Sequence, residues 1–198
     1  MSETQASFNP LFEAPPGTDI PKPPPVTIDP EEIRQVREEL RDRQNIRRGI
    51  AGGLVSALLA AGAWAVITVT TGFQHEVMAI GVGLLVGLGV RKYGHGLSPP
   101  FGVAGALLAL FGSLFGNLLG YGAIAARVAG RPIVLFELQL LGNPLAAAKL
   151  MGDTFSPIDL GFYLVAIIMG YNISFREYSE SDIAKMIVNP SEEEELDV

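Results

Sequence analysis

The chain has 198 residues, of which 48% are hydrophobic and only 18% charged, and its mean hydropathy of +0.33 is shifted toward lipid. Charge is gathered into residues 1–48 and 174–198, and the long stretch between them is nearly bare of ionisable groups, which excludes the polar-faced organisation of a water-soluble domain. Cysteine is absent, which excludes a disulfide framework, a thiolate zinc site and a cysteine nucleophile; the formal charge of −7 owes five negative charges to the final Ser191–Val198 alone.

Residues 1–28 are rich in proline and polar residues and carry no sustained apolar period, so a disordered or polyproline-like tail is expected. Docking of Pro21–Pro25 in an aromatic groove of a partner is the sharper alternative. Met1–Ile28 has no basic start followed by an apolar run, so the first apolar span is expected to act as an uncleaved anchor.

A charged cytoplasmic helix is predicted over residues 29–48. Asp29 is an N-cap type, Pro30 fits the first helical position and Glu32 stands where a capping box places its acid, with Ile28 and Ile33 able to form a hydrophobic staple. The segment balances six acids against six bases, with acids early and Arg41, Arg43, Arg47 and Arg48 late, as the helix dipole favours. Its apolar stripe of Ile33, Val36 and Leu40 is too short for a coiled coil. Local acids offset the arginines and no aromatics interleave, which argues against nucleic acid and for a contact with anionic headgroups, shared with Arg91 and Lys92.

Four membrane spans follow, so the predicted fold is all-α: a polytopic membrane protein with four transmembrane helices behind an N-terminal cytoplasmic helix. Gly49–Thr71 is an uncharged run of 23 residues; as a helix it covers about 34 Å, enough for a hydrocarbon core of about 30 Å. The second span, residues 73–90, is short, with 14 residues between Glu76 and Arg91. It needs a snorkelling Arg91, and a re-entrant hairpin is the alternative. The third span runs over residues 101–126 after Ser98-Pro99-Pro100, and the fourth over 158–175, with Ser156, Pro157 and Asp159 writing its start. Between them, Gly142, Asn143 and Pro144 break an apolar stretch into two interfacial helices within 132–152. Residues 176–198 read as an acidic cytoplasmic tail. With both ends inside, 11 of 14 Lys and Arg residues are cytoplasmic and only Arg127, Arg131 and Lys149 lie outside.

Small residues recur every four positions: Gly49, Gly53, Ala57, Ala61 and Ala65 in the first span, Ala79, Gly83 and Gly87 in the second, Gly112, Gly116 and Gly120 in the third. In lipid the hydrophobic effect does not drive helices together, so close backbone approach along such stripes supplies the packing. The stripes serve either a compact bundle or lateral assembly with a second copy or another membrane protein. Asn117 is read as an interhelical hydrogen bond. His75-Glu76 and His95 are read as polar turn and loop residues, and no metal or cofactor site is expected. Neither a phosphate-cradling loop nor a GxSxG or HExxH motif is present, so no enzymatic activity is expected.

The stretches Thr71–Gly96 (TGFQHEVMAIGVGLLVGLGVRKYGHG), Phe101–Gly120 (FGVAGALLALFGSLFGNLLG) and Asp153–Phe175 (DTFSPIDLGFYLVAIIMGYNISF) resemble a family of uncharacterised bacterial integral membrane proteins with a four-span core behind variable N-terminal segments. The resemblance covers Ala51 to Phe175. It implies a bacterial cytoplasmic (inner) membrane location and brings no activity, cofactor or site residue. The function expected is a non-enzymatic scaffold or assembly module in the lipid bilayer, engaging a cytoplasmic protein through its N-terminal helix or tail; a small transporter or channel is the alternative.

Overall fold

The computed structural model describes residues 29–188, so the expectations for the proline-rich start and for the SEEEELDV end lie outside the described residues. Every regular element described is a helix: α1 (Pro30–Asp42), α2 (Ile46–Thr71), α3 (Met78–Gly94), α4 (Pro99–Val128), α5 (Ile133–Leu141), α6 (Pro144–Thr154), α7 (Pro157–Ile173) and α8 (Glu180–Val188).

Helix boundaries follow the capping chemistry. The Asp29 carboxylate accepts from the Glu31 N–H at 3.0 Å and starts α1. The charged segment does not continue to Arg48: Asn45 is extended, its side-chain oxygen accepts from Arg48 N at 3.1 Å, and α2 begins there. Arg47 and Arg48 therefore belong to the first turn of α2. That helix ends at Gly72, whose φ of 77° is the left-handed conformation that glycine adopts without a Cβ clash. The second span starts later than predicted, at Met78, and runs on to Gly94, closed by His95 at φ 48°. Pro99 and Pro100 occupy the first turn of α4, where missing N–H groups cost nothing.

Helices α2, α3, α4 and α7 form one bundle. α2 and α7 each pack against both α3 and α4, α3 and α4 touch across the middle, and α2 and α7 do not meet among the described residues. Three links hold α2, α3, α4 and α7 together at one end. Asn45 N donates to Gly94 O at 2.9 Å, Arg176 N donates to Gly96 O at 3.0 Å, and the Gln44 side-chain oxygen accepts from Leu97 N at 3.3 Å and from the Ser98 hydroxyl at 2.9 Å. The start of α2, the end of α3, the start of α4 and the end of α7 thus share that end, so α2, α3, α4 and α7 alternate in direction along the chain, and the packed pairs α2–α4 and α3–α7 run parallel. α1 and α8 pack on each other, and Leu40 of α1 and Ile183 of α8 share a groove with Leu97 and Pro99 at the same end.

The core is made of small and medium side chains around three aromatic ones. Trp64, Val82, Val86, Val90, Ala109 and Ala166 are buried, with Phe101 and Tyr163 beside them. The outer surface of the same helices is apolar: Leu58 and Leu59 on α2, Leu84, Leu85 and Leu88 on α3, Leu107 and Phe111 on α4, and Leu160, Leu164 and Ile168 on α7 are exposed. A contiguous apolar belt of this extent marks contact with lipid or protein. α2 and α4, of 26 and 30 residues, are long and apolar enough to cross a membrane. α3 and α7 have 17 residues each, and at 1.5 Å per residue each covers about 26 Å. α5 and α6 pass the same test only as a pair, and the pair is bent by 107°.

Candidate functional site

The predicted small-residue stripes are all placed, and each meets a helix of the same chain. Gly49 faces the Gly94 backbone and Phe101, while Gly53 faces Val90 and Leu108; Ala57 and Ala61 are fully buried against α4. Ala79 is buried, Gly83 lies directly on the Ala166 backbone of α7, and Gly87 meets Ile173. Gly112 accommodates Val82 and Ala57, Gly116 the Trp64 ring, and Gly120 the Gln74 side chain. Only Ala65 is partly exposed.

Two further stripes went unread. On α4, Gly105, Ala109, Ser113 and Asn117 form a second buried row, and Ala166, Gly170 and Ser174 form its counterpart on α7. A Cβ at Gly105 would run into the Ser174 hydroxyl and the Gly170 carbonyl, so these helices touch backbone to backbone. Both rows show the same four-residue spacing as the stripes that were read.

Polar side chains gather at the end of the bundle where α2 terminates. The Thr68 hydroxyl donates to Gln74 Oε1 at 3.0 Å, Gln74 Nε2 donates to Asn117 Oδ1 at 2.8 Å, and Asn117 Nδ2 donates to the Tyr163 hydroxyl. This chain links α2, the α2–α3 turn, α4 and α7. Asn117 is therefore an interhelical connector, and Gln74 and Tyr163, which no sequence motif marked, are its partners.

Beside it lies Asp159. The residue is 1% exposed; its Oδ2 accepts from Ser156 N at 2.8 Å and completes the capping box of α7. Its Oδ1 is buried without a hydrogen-bond partner among the described residues, as are Ser113 Oγ and Trp64 Nε1. A carboxylate in such a place is costly unless it is neutralised or bound. The Ser156-Pro157-x-Asp159 start pattern marks Asp159 as a cap, and its Oδ2 fills that role.

The projecting end of α4 supports the α5–α6 hairpin. Both Glu137 oxygens are buried against Gly122, where any side chain would displace them. This burial pushes the Glu137 carboxyl up to about 7. On the same end, the Arg127 guanidinium donates to Val69 O at 2.6 Å and ties α4 to the last turn of α2.

The cations separate into groups. Arg43, Arg91 and Lys92 line a cavity of about 280 Å³ with His95, Arg176 and Tyr178. Arg48 heads a lateral, mainly apolar groove with Val55, Leu59 and Tyr93. Arg41 lines a separate groove with Arg37 and Glu180 between α1 and α8, and Arg47 is exposed. His75 and Glu76 stand in the α2–α3 turn, with His75 Nδ1 3.0 Å from Phe73 O. Among the described residues, no group of three or more His, Cys, Asp or Glu side chains is placed to hold a metal ion. Comparison with known proteins returns no matching family model, no matching curated protein and no matching solved structure.

Proposed function

We propose that the chain is a four-span protein of the bacterial cytoplasmic membrane that acts as a non-enzymatic scaffold or assembly module, with both ends in the cytoplasm. The exposed leucines of α3 and α7 extend the apolar belt of α2 and α4 around the whole bundle, which supports four crossings although α3 and α7 are short. The α5–α6 hairpin, bent too sharply for a straight crossing, rests on the outer surface. Arg43, Arg48, Arg91, Lys92 and Arg176 mark the cytoplasmic end by the positive-inside rule.

The observation that carries the scaffold reading is the cap. α1 and α8 come from opposite ends of the chain and pack on each other. Ile183 and Met186 are buried there, and Val36 and Leu40 contribute from α1. A partner protein therefore meets a platform whose charged outer face includes Glu31, Glu38 and Arg41. Because the small-residue stripes are consumed within one chain, a second copy or another membrane protein would contact the leucine belt instead.

A photo-crosslinking residue placed at Glu38 in cells should give a discrete protein adduct, absent when the same residue replaces Leu107 on the lipid face. Equal smears from both positions would remove the support for this reading.

A small transporter or channel is the second reading, favoured by one observation: the Thr68–Gln74–Asn117–Tyr163 chain beside the buried Asp159 oxygen. It requires ion flux in proteoliposomes that is lost on Asn117→Leu and on Asp159→Asn, a change that keeps the cap and removes the charge. Protein-independent leakage rates would eliminate it.

A further inference from the structure

We propose that the lateral groove between α2 and α3 headed by Arg48 binds one anionic phospholipid, its phosphate on the guanidinium and an acyl chain along the apolar wall. The groove encloses about 450 Å³; Ala51, Val55 and Leu59 line it from α2 and Tyr93 from α3. Val55, Leu59 and Tyr93 are exposed, so the groove opens sideways from the bundle. The proposal rests on the membrane reading above.

The groove exists because α2 and α3 meet there with little side chain between them. A Cβ at Gly52 would strike the Tyr93 side chain and the Gly89 carbonyl, and one at Gly89 would strike the Ser56 hydroxyl and the Gly52 carbonyl. Val55 and Leu59 on α2 and Tyr93 on α3 rise beside this thin contact. From Arg48 to Leu59 the helix advances about 16 Å at 1.5 Å per residue. One leaflet contributes about 15 Å to a hydrocarbon core of about 30 Å, so the apolar furrow is one leaflet deep. A positive charge at the mouth of such a furrow complements an amphiphile with an anionic head.

The blander account is that Arg48 snorkels to bulk headgroups while the groove takes any lipid. Arg47, the neighbouring residue of the same charge, fits that account, being exposed and outside the groove. Arg48 lines the groove, and among the described residues it has no ion-pair partner. Guanidinium pairs bidentately with phosphate, and Tyr93 adds an aromatic ring of the kind that settles at headgroup level. A second copy of the chain is the poorer occupant. The sole carboxylate within α2, α3, α4 and α7 is Asp159, at the opposite end of the bundle. A copy oriented the same way in the membrane, laying one of these helices in the groove, would bring no counter-charge to Arg48.

The test uses the full chain, purified and delipidated in a non-ionic detergent, with phosphatidylglycerol and phosphatidylcholine of the same chain length as probes. Native mass spectrometry should show phosphatidylglycerol bound about tenfold more tightly, the gain of one charge-assisted contact. Arg48→Gln should remove that preference, and Arg47→Gln should change it little. Ala51→Trp, which fills the groove from an exposed position and keeps Arg48, should weaken phosphatidylglycerol binding about tenfold. All three positions are exposed, so each variant should keep the melting temperature of the unaltered chain. Equal affinity for the two lipids in the unaltered chain overturns the proposal. So does an Arg47→Gln effect as large as that of Arg48→Gln, the signature of a diffusely basic surface, or phosphatidylglycerol binding untouched by Ala51→Trp. A dimer in the same spectra that Ala51→Trp dissolves would assign the groove to a second copy and overturn it too. Alkaline carbonate extraction of membranes separates these failures from failure of the membrane reading: a chain that stays in the membrane fraction yet shows no headgroup preference loses the lipid site alone, whereas a chain released by carbonate loses both.

Discussion

Gly83 sits where a Cβ would press on the Ala166 backbone of α7, which cannot rotate away, whereas Gly81, half a turn round the same helix, has nothing within 4 Å of that position. Gly83→Ala should therefore cost about 1–3 kcal/mol through forced separation of α3 and α7. Gly81→Ala should be neutral or stabilising by up to about 1 kcal/mol, because a helix-interior glycine is replaced without a clash. The single tryptophan, Trp64, is buried against Gly116 and supplies a fluorescence signal for unfolding in detergent. Asn117→Leu would leave the Gln74 amide and the Tyr163 hydroxyl without their shared partner, and a loss of about 1–3 kcal/mol is expected by the same measurement. At this scale the stripes were legible, because a four-residue repeat of small side chains is a local pattern. Gln74, Tyr163 and the burial of Asp159 were not, because they depend on which helices become neighbours.

Among the elements, α8 shows what was readable and missed. Ser179 and Asp182 form a capping box: Ser179 N donates to Asp182 Oδ2 at 3.0 Å and Asp182 N to Ser179 Oγ at 3.2 Å. Hydrogen bonds from the Ser179 hydroxyl and backbone hold the Asp182 carboxyl below its ordinary range. The Ser-x-x-Asp spacing stands in the sequence, but the acidic run beyond it drew the whole segment into a tail. The break between α1 and α2 was hidden differently, since Asn45 interrupts a segment whose charge pattern continues smoothly. The α5–α6 hairpin carries its own prediction. The Glu137 carboxyl titrates near 7 when docked, against an ordinary value of 4.5. The docked form thus favours the proton, so docking is strongest below about 4.5, weakens as pH rises to about 7, and is level above that. Hydrogen exchange of α5 amides should show less protection against opening at pH 8 than at pH 5, after correction for the intrinsic exchange rate. Glu137→Gln should erase the difference, and an unchanged difference in that variant would assign the effect to another group.

At the scale of the molecule, hydropathy alone marks α2 and α4 as spans, while α3 and α7 fall short by length. Their place in the bundle argues for the membrane: α3 packs on both long helices, α7 packs on α4 and α3, and each presents leucines outward. A pattern of that kind is a property of the assembled bundle and does not show in the hydropathy of either short helix alone. The long α4 then projects beyond its neighbours at one end, and its projection supplies the seat for the hairpin through Gly122. The absence of native cysteine makes the topology directly measurable, because each introduced thiol is unique.

Single cysteines replacing Glu39, Phe73, Val128 and Glu180 place one exposed probe on α1, the α2–α3 turn, the end of α4 and α8. With a membrane-impermeant maleimide on intact cells, Phe73→Cys and Val128→Cys should label, and Glu39→Cys and Glu180→Cys should label only after the membrane is opened. Labelling of Glu180→Cys from outside together with Phe73→Cys and Val128→Cys, or of Phe73→Cys only after the membrane is opened, would contradict the four-span bundle.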